Sequence, residues 1–235
     1  MTRWRSMAVV VAGLLLVAGC GGGSDEPRAT ATTTASPEPP VVRTIDDLAA
    51  ALPERGQVPG AAKQLDACGA DDECPDAAVS VTYGLEPSLS DAEVKRQYDV
   101  YILPEVATVA ATAWKDADAA AAGLAKARDG ELVGTYSTKG KETSDTGYTF
   151  GAKGKATIED VTVAGWSGYL NRREEVLTSP EGGSDTPPLA VTVVHVSDGS
   201  STVKVTVQVL AGGATAASSE SAARQLAEDY IARLE

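Results

Sequence analysis

The sequence predicts an α+β domain, an antiparallel sheet with helices packed on one side, and three observations carry that expectation. The stretch LAVTVVHVSDGSSTVKVTVQVL, residues 189–210, reads as two alternating strands around an Asp198-Gly199 turn signal. Residues 218–234 place Ala223, Leu226, Ala227, Tyr230, Ile231 and Leu234 on one stripe at helical spacing, suited to lie on the valine face. No repeated strand-helix-strand unit with a phosphate loop occurs, so a parallel sheet is not expected.

The first elements precede the domain. Arg3 and Arg5 are followed by an apolar core of eleven residues, Met7 to Val17, and then by small residues, the layout of an export signal. Eleven residues are too few to span a bilayer. The segment Val17-Ala18-Gly19-Cys20 resembles the bacterial lipobox. That resemblance implies that residues 1–19 are a lipoprotein signal peptide and that Cys20, alkylated with diacylglycerol, becomes the first residue of an extracytoplasmic, membrane-anchored protein. The competing reading is an ordinary secretory signal with an incidental cysteine. Each buried acyl methylene adds about 0.8 kcal/mol, so two or more chains give stable anchoring.

Residues 20–43 are Gly, Ser, Thr, Ala and Pro with almost no large apolar side chain, the composition of a flexible tether. As a coil it holds a domain on the order of 25 Å from the bilayer, and about 75 Å when pulled straight. Thr30, Thr32, Thr33 and Thr34 suit either O-linked sugar or a plain solvated linker.

Residues 44–235 carry no linker-length break and are expected to form one domain. The full chain has net charge −13, and loss of Arg3 and Arg5 with the leader makes it two charges more negative. That field repels nucleic acid and anionic headgroups, so neutral or cationic partners are expected and nucleic acid is not.

Within the domain, residues 44–52 suggest a short helix with Thr44 as N-cap, Asp46 and Asp47 in its first turn, and Pro53 and Gly56 ending it. After Cys20, the remaining thiols are Cys68 and Cys74. Export places them in an oxidising compartment, where they are expected to pair and close the short loop CGADDEC at about 2 kcal/mol of chain-entropy stabilisation. Asp66, Asp71, Asp72, Glu73 and Asp76 raise a cation site as the alternative, but the spacing of a calcium loop is absent and no metal is expected.

Residues 77–85 alternate Val79, Val81, Tyr83 and Leu85 as a half-buried strand. Residues 98–103 suggest another, and 106–114 extend it past Pro104. The run DADAAAAGLAKARDG, 116–130, has an acidic start, basic end and glycine stop of a helix, and its apolar side chains are alanine except for Leu124. Strand character follows at 132–137, at 148–152 and in one long run from 156 to about 173. In the last strand Val203, Val205, Val207 and Val209 face one way, and Thr202, Lys204, Thr206 and Gln208 face the other, a wet side.

His195 is the single histidine, set between Val194 and Val196 on the parity of Val191 and Val193. It reads as a structural residue rather than a general base, because Ser197, Ser200 and Ser201 belong to the turn and lack a nucleophile elbow. A carboxylate pair acting on cell-wall polymer is the alternative from another class, although 33 acids give spacing no power to nominate two. Trp166, Tyr169 and Leu170, with Arg172 and Arg173 beyond, form the candidate binding cluster. Alternation sets Trp166 and Leu170 on one face and Tyr169 on the other, either as core or as a groove wall. No cofactor is expected.

The order of strand, Asp-Ala-Asp-Ala helix, strands carrying V-A-G-W-S-G (Val163 to Gly168), valine-rich strand and amphipathic last helix is similar to exported sensor-like lipoproteins of high-GC Gram-positive bacteria. It also resembles the extracytoplasmic domain of some of their membrane serine/threonine kinases. The resemblance implies a non-catalytic envelope module that binds a protein or an apolar small molecule, with the membrane engaged through the lipid at Cys20.

Overall fold

Alternation of valine with threonine and lysine at 201–210 builds the middle of a sheet, because it gives the strand one apolar face and one polar face. The computed structural model describes residues 41–68, 77–88, 105–143, 147–149, 151–178, 187–211 and 215–235. All belong to one unit, Pro39–Glu235. The described elements are α1 (Ile45–Ala50), β1 (Ala61–Cys68), β2 (Ala78–Leu85), β3 (Val106–Ala113), α2 (Ala117–Asp129), β4 (Gly134–Ser137), β5 (Lys141–Thr143), β6 (Gly147–Thr149), β7 (Gly151–Val163), β8 (Trp166–Thr178), β9 (Leu189–Ser197), β10 (Ser201–Leu210) and α3 (Thr215–Leu234).

Eight strands form one sheet in the order β1-β2-β3-β10-β9-β8-β7-β4, and every neighbouring pair is antiparallel. β5 and β6 pair separately as a small ribbon. The α+β class and the antiparallel sheet are therefore as the sequence predicts.

The helices divide between the two faces. α1 and α3 lie on the valine face, where Val203, Val205 and Val207 meet Leu226, Ala227, Tyr230 and Ile231, all within a few per cent of complete burial. The predicted stripe of the last helix is the buried one. Its Tyr230 hydroxyl donates to the Leu48 carbonyl at 2.8 Å and Arg233 reaches the Ala51 carbonyl at 3.2 Å, so α3 satisfies the C-terminal end of α1. Thr44 caps α1 as expected, in a reciprocal capping box with Asp47.

α2 lies on the reverse face, which corrects the expectation that all helices share one side. Connectivity is the physical reason. β3 is near the middle of the sheet and β4 is at the far edge beside β7, so the chain between them crosses the intervening strands, and α2 makes that crossing over the face that α1 and α3 leave open. The predicted wet side is accordingly covered in part: Thr202 is buried, its hydroxyl accepting from the Trp114 indole Nε1 at 3.1 Å.

Two further differences concern strands. The run expected as one strand from 156 to about 173 is a hairpin, with Val163 opposite Trp166 and a two-residue turn at Ala164 (φ 46°) and Gly165 (φ 81°). Both central residues in the left-handed region match the hairpin turn whose twist suits its strands. Residues expected as a strand at 148–152 divide between β6 and the start of β7. β1, an exposed edge strand not anticipated from the sequence, precedes β2. The strand suggested at 98–103 lies outside the described residues.

At one end of the sheet the chain arrives from residue 41 against two turns. Arg43 pairs with Asp198 and stacks over the Trp166 ring at 5.1 Å, while Ser200 Oγ donates to the Val41 carbonyl at 2.5 Å. Asp198 also accepts from the Ser200 and Ser201 amides at 2.8 Å, holding the β9–β10 turn. At the other end Glu105, buried, accepts from the amides of Ser88 (2.7 Å) and Leu210 (2.8 Å), binding the β3 start to the β10 end.

Candidate ligand-binding site

On the reverse face of the sheet the path of α2 builds a concavity. Asp116 caps the helix by accepting the Ala119 amide at 2.8 Å, and Lys126 and Arg128 occupy its last turn beside the C-cap Gly130. Alanine side chains make the helix thin, and Gly123 lets its backbone rest on the Trp114 ring. After Gly130 the chain continues over β8, where the Leu132 carbonyl accepts from Asn171 Nδ2 at 3.0 Å.

Beneath this passage Tyr169, His195 and Lys204 stand in one cross-strand row on β8, β9 and β10. The Tyr169 hydroxyl donates to Glu131 Oε1 at 3.2 Å and lies 3.2 Å from His195 Nδ1. With its single proton committed to Glu131, the hydroxyl accepts from His195, which assigns the imidazole proton to Nδ1. Lys204 Nζ approaches the same Glu131 oxygen at 3.4 Å. Burial, and then the positive charge of Lys204, push the His195 pKa down to about 4, so the ring is neutral near pH 7. Burial and the neighbouring Glu131 carboxylate raise the Tyr169 hydroxyl well above the ordinary phenol range.

Beside this row an open depression of about 530 Å³ is lined by Trp114, Lys126, Gly130, Glu131, Arg173 and Lys204, with Gly123 and Ala127 on the helix side. Three of these groups are cations and one is a carboxylate, in a chain of net charge −13. Glu131 is almost buried and already shared between Tyr169 and Lys204. Arg173 differs, because its Nε is buried with no hydrogen-bond partner.

The predicted cluster is separated by the sheet. Trp166 (4% exposed) and Leu170 (0%) lie in the core beneath α3 and offer no surface, so they do not wall a groove. Tyr169 points to the reverse face, buried under Glu131 and Arg128, whose guanidinium lies 5.9 Å from the ring centre. Of the three, Tyr169 alone is on the side of the depression, where it is fully buried and reaches the lining only through its hydrogen bond to Glu131. Cys68 ends β1, whereas Cys20, Cys74 and Asp71, Asp72, Glu73 and Asp76 of the acidic loop lie outside the described residues. Among the described residues no group of three or more His, Cys, Asp or Glu side chains is arranged to hold a metal ion. Nor is any described helix long and apolar enough to cross a membrane.

Sequence reading passed over Glu131, placed Lys204 only on the wet side of the last strand, and named Arg173 only as a neighbour of the aromatic cluster. The available signal was Trp114, one of three tryptophans, standing directly before a helix with a central glycine. No family model matches the chain, and no curated protein or solved structure matches it either.

His195 bonds to Tyr169, and its serine neighbours hold the turn: Ser197 Oγ donates to the Ser201 carbonyl at 2.8 Å and Ser200 is bound to Val41 and Asp198. The partly buried Glu220 sits between Arg172 (2.9 Å) and Arg224 (2.9 Å), and the hydrogen bond from Arg172 above all holds its pKa down at about 2. Glu175 accepts from the Tyr136 hydroxyl.

Proposed function

We propose that this protein is a lipid-anchored, extracytoplasmic binding module that works without catalysis and offers the depression between α2 and the sheet to its ligand. The leader and lipobox support the location, with Cys20 as the anchor. The observation that carries the binding reading is the lining of one open concavity, where Lys126, Arg173 and Lys204 converge with Glu131 as the one carboxylate beside the Trp114 ring. Carboxylates available for hydrolysis in this region, Glu131 and Glu175, are engaged by tyrosine hydroxyls, which favours binding over the cell-wall hydrolase alternative.

Gly130→Trp tests the reading. Gly130 lines the depression, has an ordinary helical conformation (φ −81°), and a side chain starting there meets nothing closer than backbone oxygens at 3.5 Å. The indole should fill the space without disturbing the fold. Complementation of a deletion strain is expected to fail with this variant while the melting temperature stays within about 2 °C of wild type. Full complementation, or release of soluble fragments when wild type is incubated with isolated cell wall, overturns the proposal.

A further inference from the structure

We infer that the depression binds a small oxyanion, a carboxylate or phosphate group, on Arg173 and Lys204 with Lys126 at the rim; this rests on the binding reading above. The chain as a whole argues the other way. Its negative charge exceeds its positive charge by 13, and a partner chosen by that field would be neutral or cationic. Long-range fields are screened, however, over about 8 Å at physiological ionic strength, so groups lining a concavity outweigh those on the far side of the molecule.

The local balance is three cations to one carboxylate. Glu131 cannot neutralise all three. It accepts the hydrogen bond of the Tyr169 hydroxyl and faces Lys204 through the same oxygen, and no ion pair joins it to Arg173 or Lys126 among the described residues. The neighbouring arginines are matched: Arg128 on the same face with Asp160, and Arg172 on the opposite face of β8 with Glu159 and Glu220. Arg173, by contrast, makes no ion pair among the described residues, in a chain with acids to spare. An unpaired, partly buried guanidinium is costly, and the cost is offset when an oxyanion accepts from its planar fork. Arg173 on β8 and Lys204 on β10 are separated by β9, so they present their charges from two sides of one space. The Trp114 ring supplies an apolar wall for whatever carries the anionic group, its Nε1 being committed to Thr202.

The test uses the purified full-length protein with inorganic phosphate and with succinate as separate probes, sodium chloride at matched ionic strength as control, and tryptophan fluorescence with calorimetry as readouts. Saturable binding of either probe at millimolar concentration or tighter is expected, weakening as salt rises, and the stronger probe identifies phosphate or carboxylate as the recognised group. Arg173→Gln and Lys204→Gln should each weaken it about tenfold, the loss for one charge-assisted hydrogen bond. A conservative Arg173→Lys variant, which keeps the charge but not the fork, separates binding from folding if Arg173→Gln proves unstable. No saturable binding of either probe, or binding unchanged in Lys204→Gln and Arg173→Lys, overturns the inference. If the probes fail while Gly130→Trp still abolishes complementation, the binding reading stands and only the ligand class is wrong.

Discussion

Gly123 lies flat against the indole of Trp114: a Cβ built on it would sit 2.3 Å from both Cη2 and Cζ2 of the ring. Alanine is the better helix former by about 1 kcal/mol, so on propensity alone Gly123→Ala should stabilise α2. The contact reverses that sign. The ring cannot retreat cheaply, because its Nε1 donates to buried Thr202, and overpacking of this kind costs about 1–3 kcal/mol. Gly123→Ala is therefore expected to lower the denaturation midpoint, and Trp114→Leu in the same chain to restore part of the loss. A rise in stability for Gly123→Ala alone would show that α2 does not rest on the ring.

The anchor prediction follows from Val17 to Cys20. Cys20→Ala should abolish lipid attachment and move the mature domain out of the membrane-anchored pool, as read by fractionation and by mass spectrometry of the N-terminal peptide. Wild-type protein recovered wholly in the medium with an unmodified thiol at position 20 would remove the anchor.

Cys68 closes β1, an edge strand whose residues are mostly exposed and whose pairing with β2 shifts register twice. Such an edge has little burial to hold it, so a short covalent loop beyond it would contribute much of its order. Peptide mapping without reductant is expected to show Cys68 linked to Cys74, and Cys74→Ser to lower stability by about 2 kcal/mol. Two freely alkylatable thiols in the exported protein would contradict the pairing.

How much of this was legible in the sequence depended on whether a residue's partners were periodic. Val203 to Val209 and the Leu226–Tyr230 stripe repeat at strand and helix spacing, so the valine face and its helix could be read directly. α2 has no apolar stripe to declare a side, since alanine is nearly neutral, and its face was settled by the crossing from β3 to β4. The Ala164-Gly165 turn lacks the Asn or Asp that usually marks a left-handed pair, which concealed the β7–β8 hairpin. β1 is exposed on both faces and so shows no alternation. The depression draws Trp114, Glu131, Arg173 and Lys204 from separate elements, and no spacing rule joins residues that only the sheet register brings together.

His195 makes stability depend on pH in a defined window. The ring is buried on β9, with Tyr169 at its Nδ1, Lys204 opposite on β10, and Glu131 and Arg128 of the overlying chain beyond the tyrosine. Its folded pKa of about 4 lies below the value of about 6.5 for an unfolded chain, so the unfolded state binds the proton first as pH falls. Stability should be greatest above pH about 6.5 and decline as pH drops towards about 4, by up to about 3 kcal/mol. Glu220, with its pKa held at about 2, acts in the same direction but mainly below pH about 4.5, and it is present in any His195 variant, so its contribution cancels in comparison. His195→Gln keeps a hydrogen-bonding side chain for Tyr169 and removes the titration, at a cost of about 1 kcal/mol near neutral pH. Urea denaturation at pH 7.5, 5.5 and 4.5 should show the wild-type advantage at neutral pH shrink and then reverse, while complementation by the variant stays intact. Parallel curves for the two proteins across this range would mean that the ring is not held neutral by its surroundings, and loss of complementation at unchanged stability would move His195 from the framework of the sheet into the site itself.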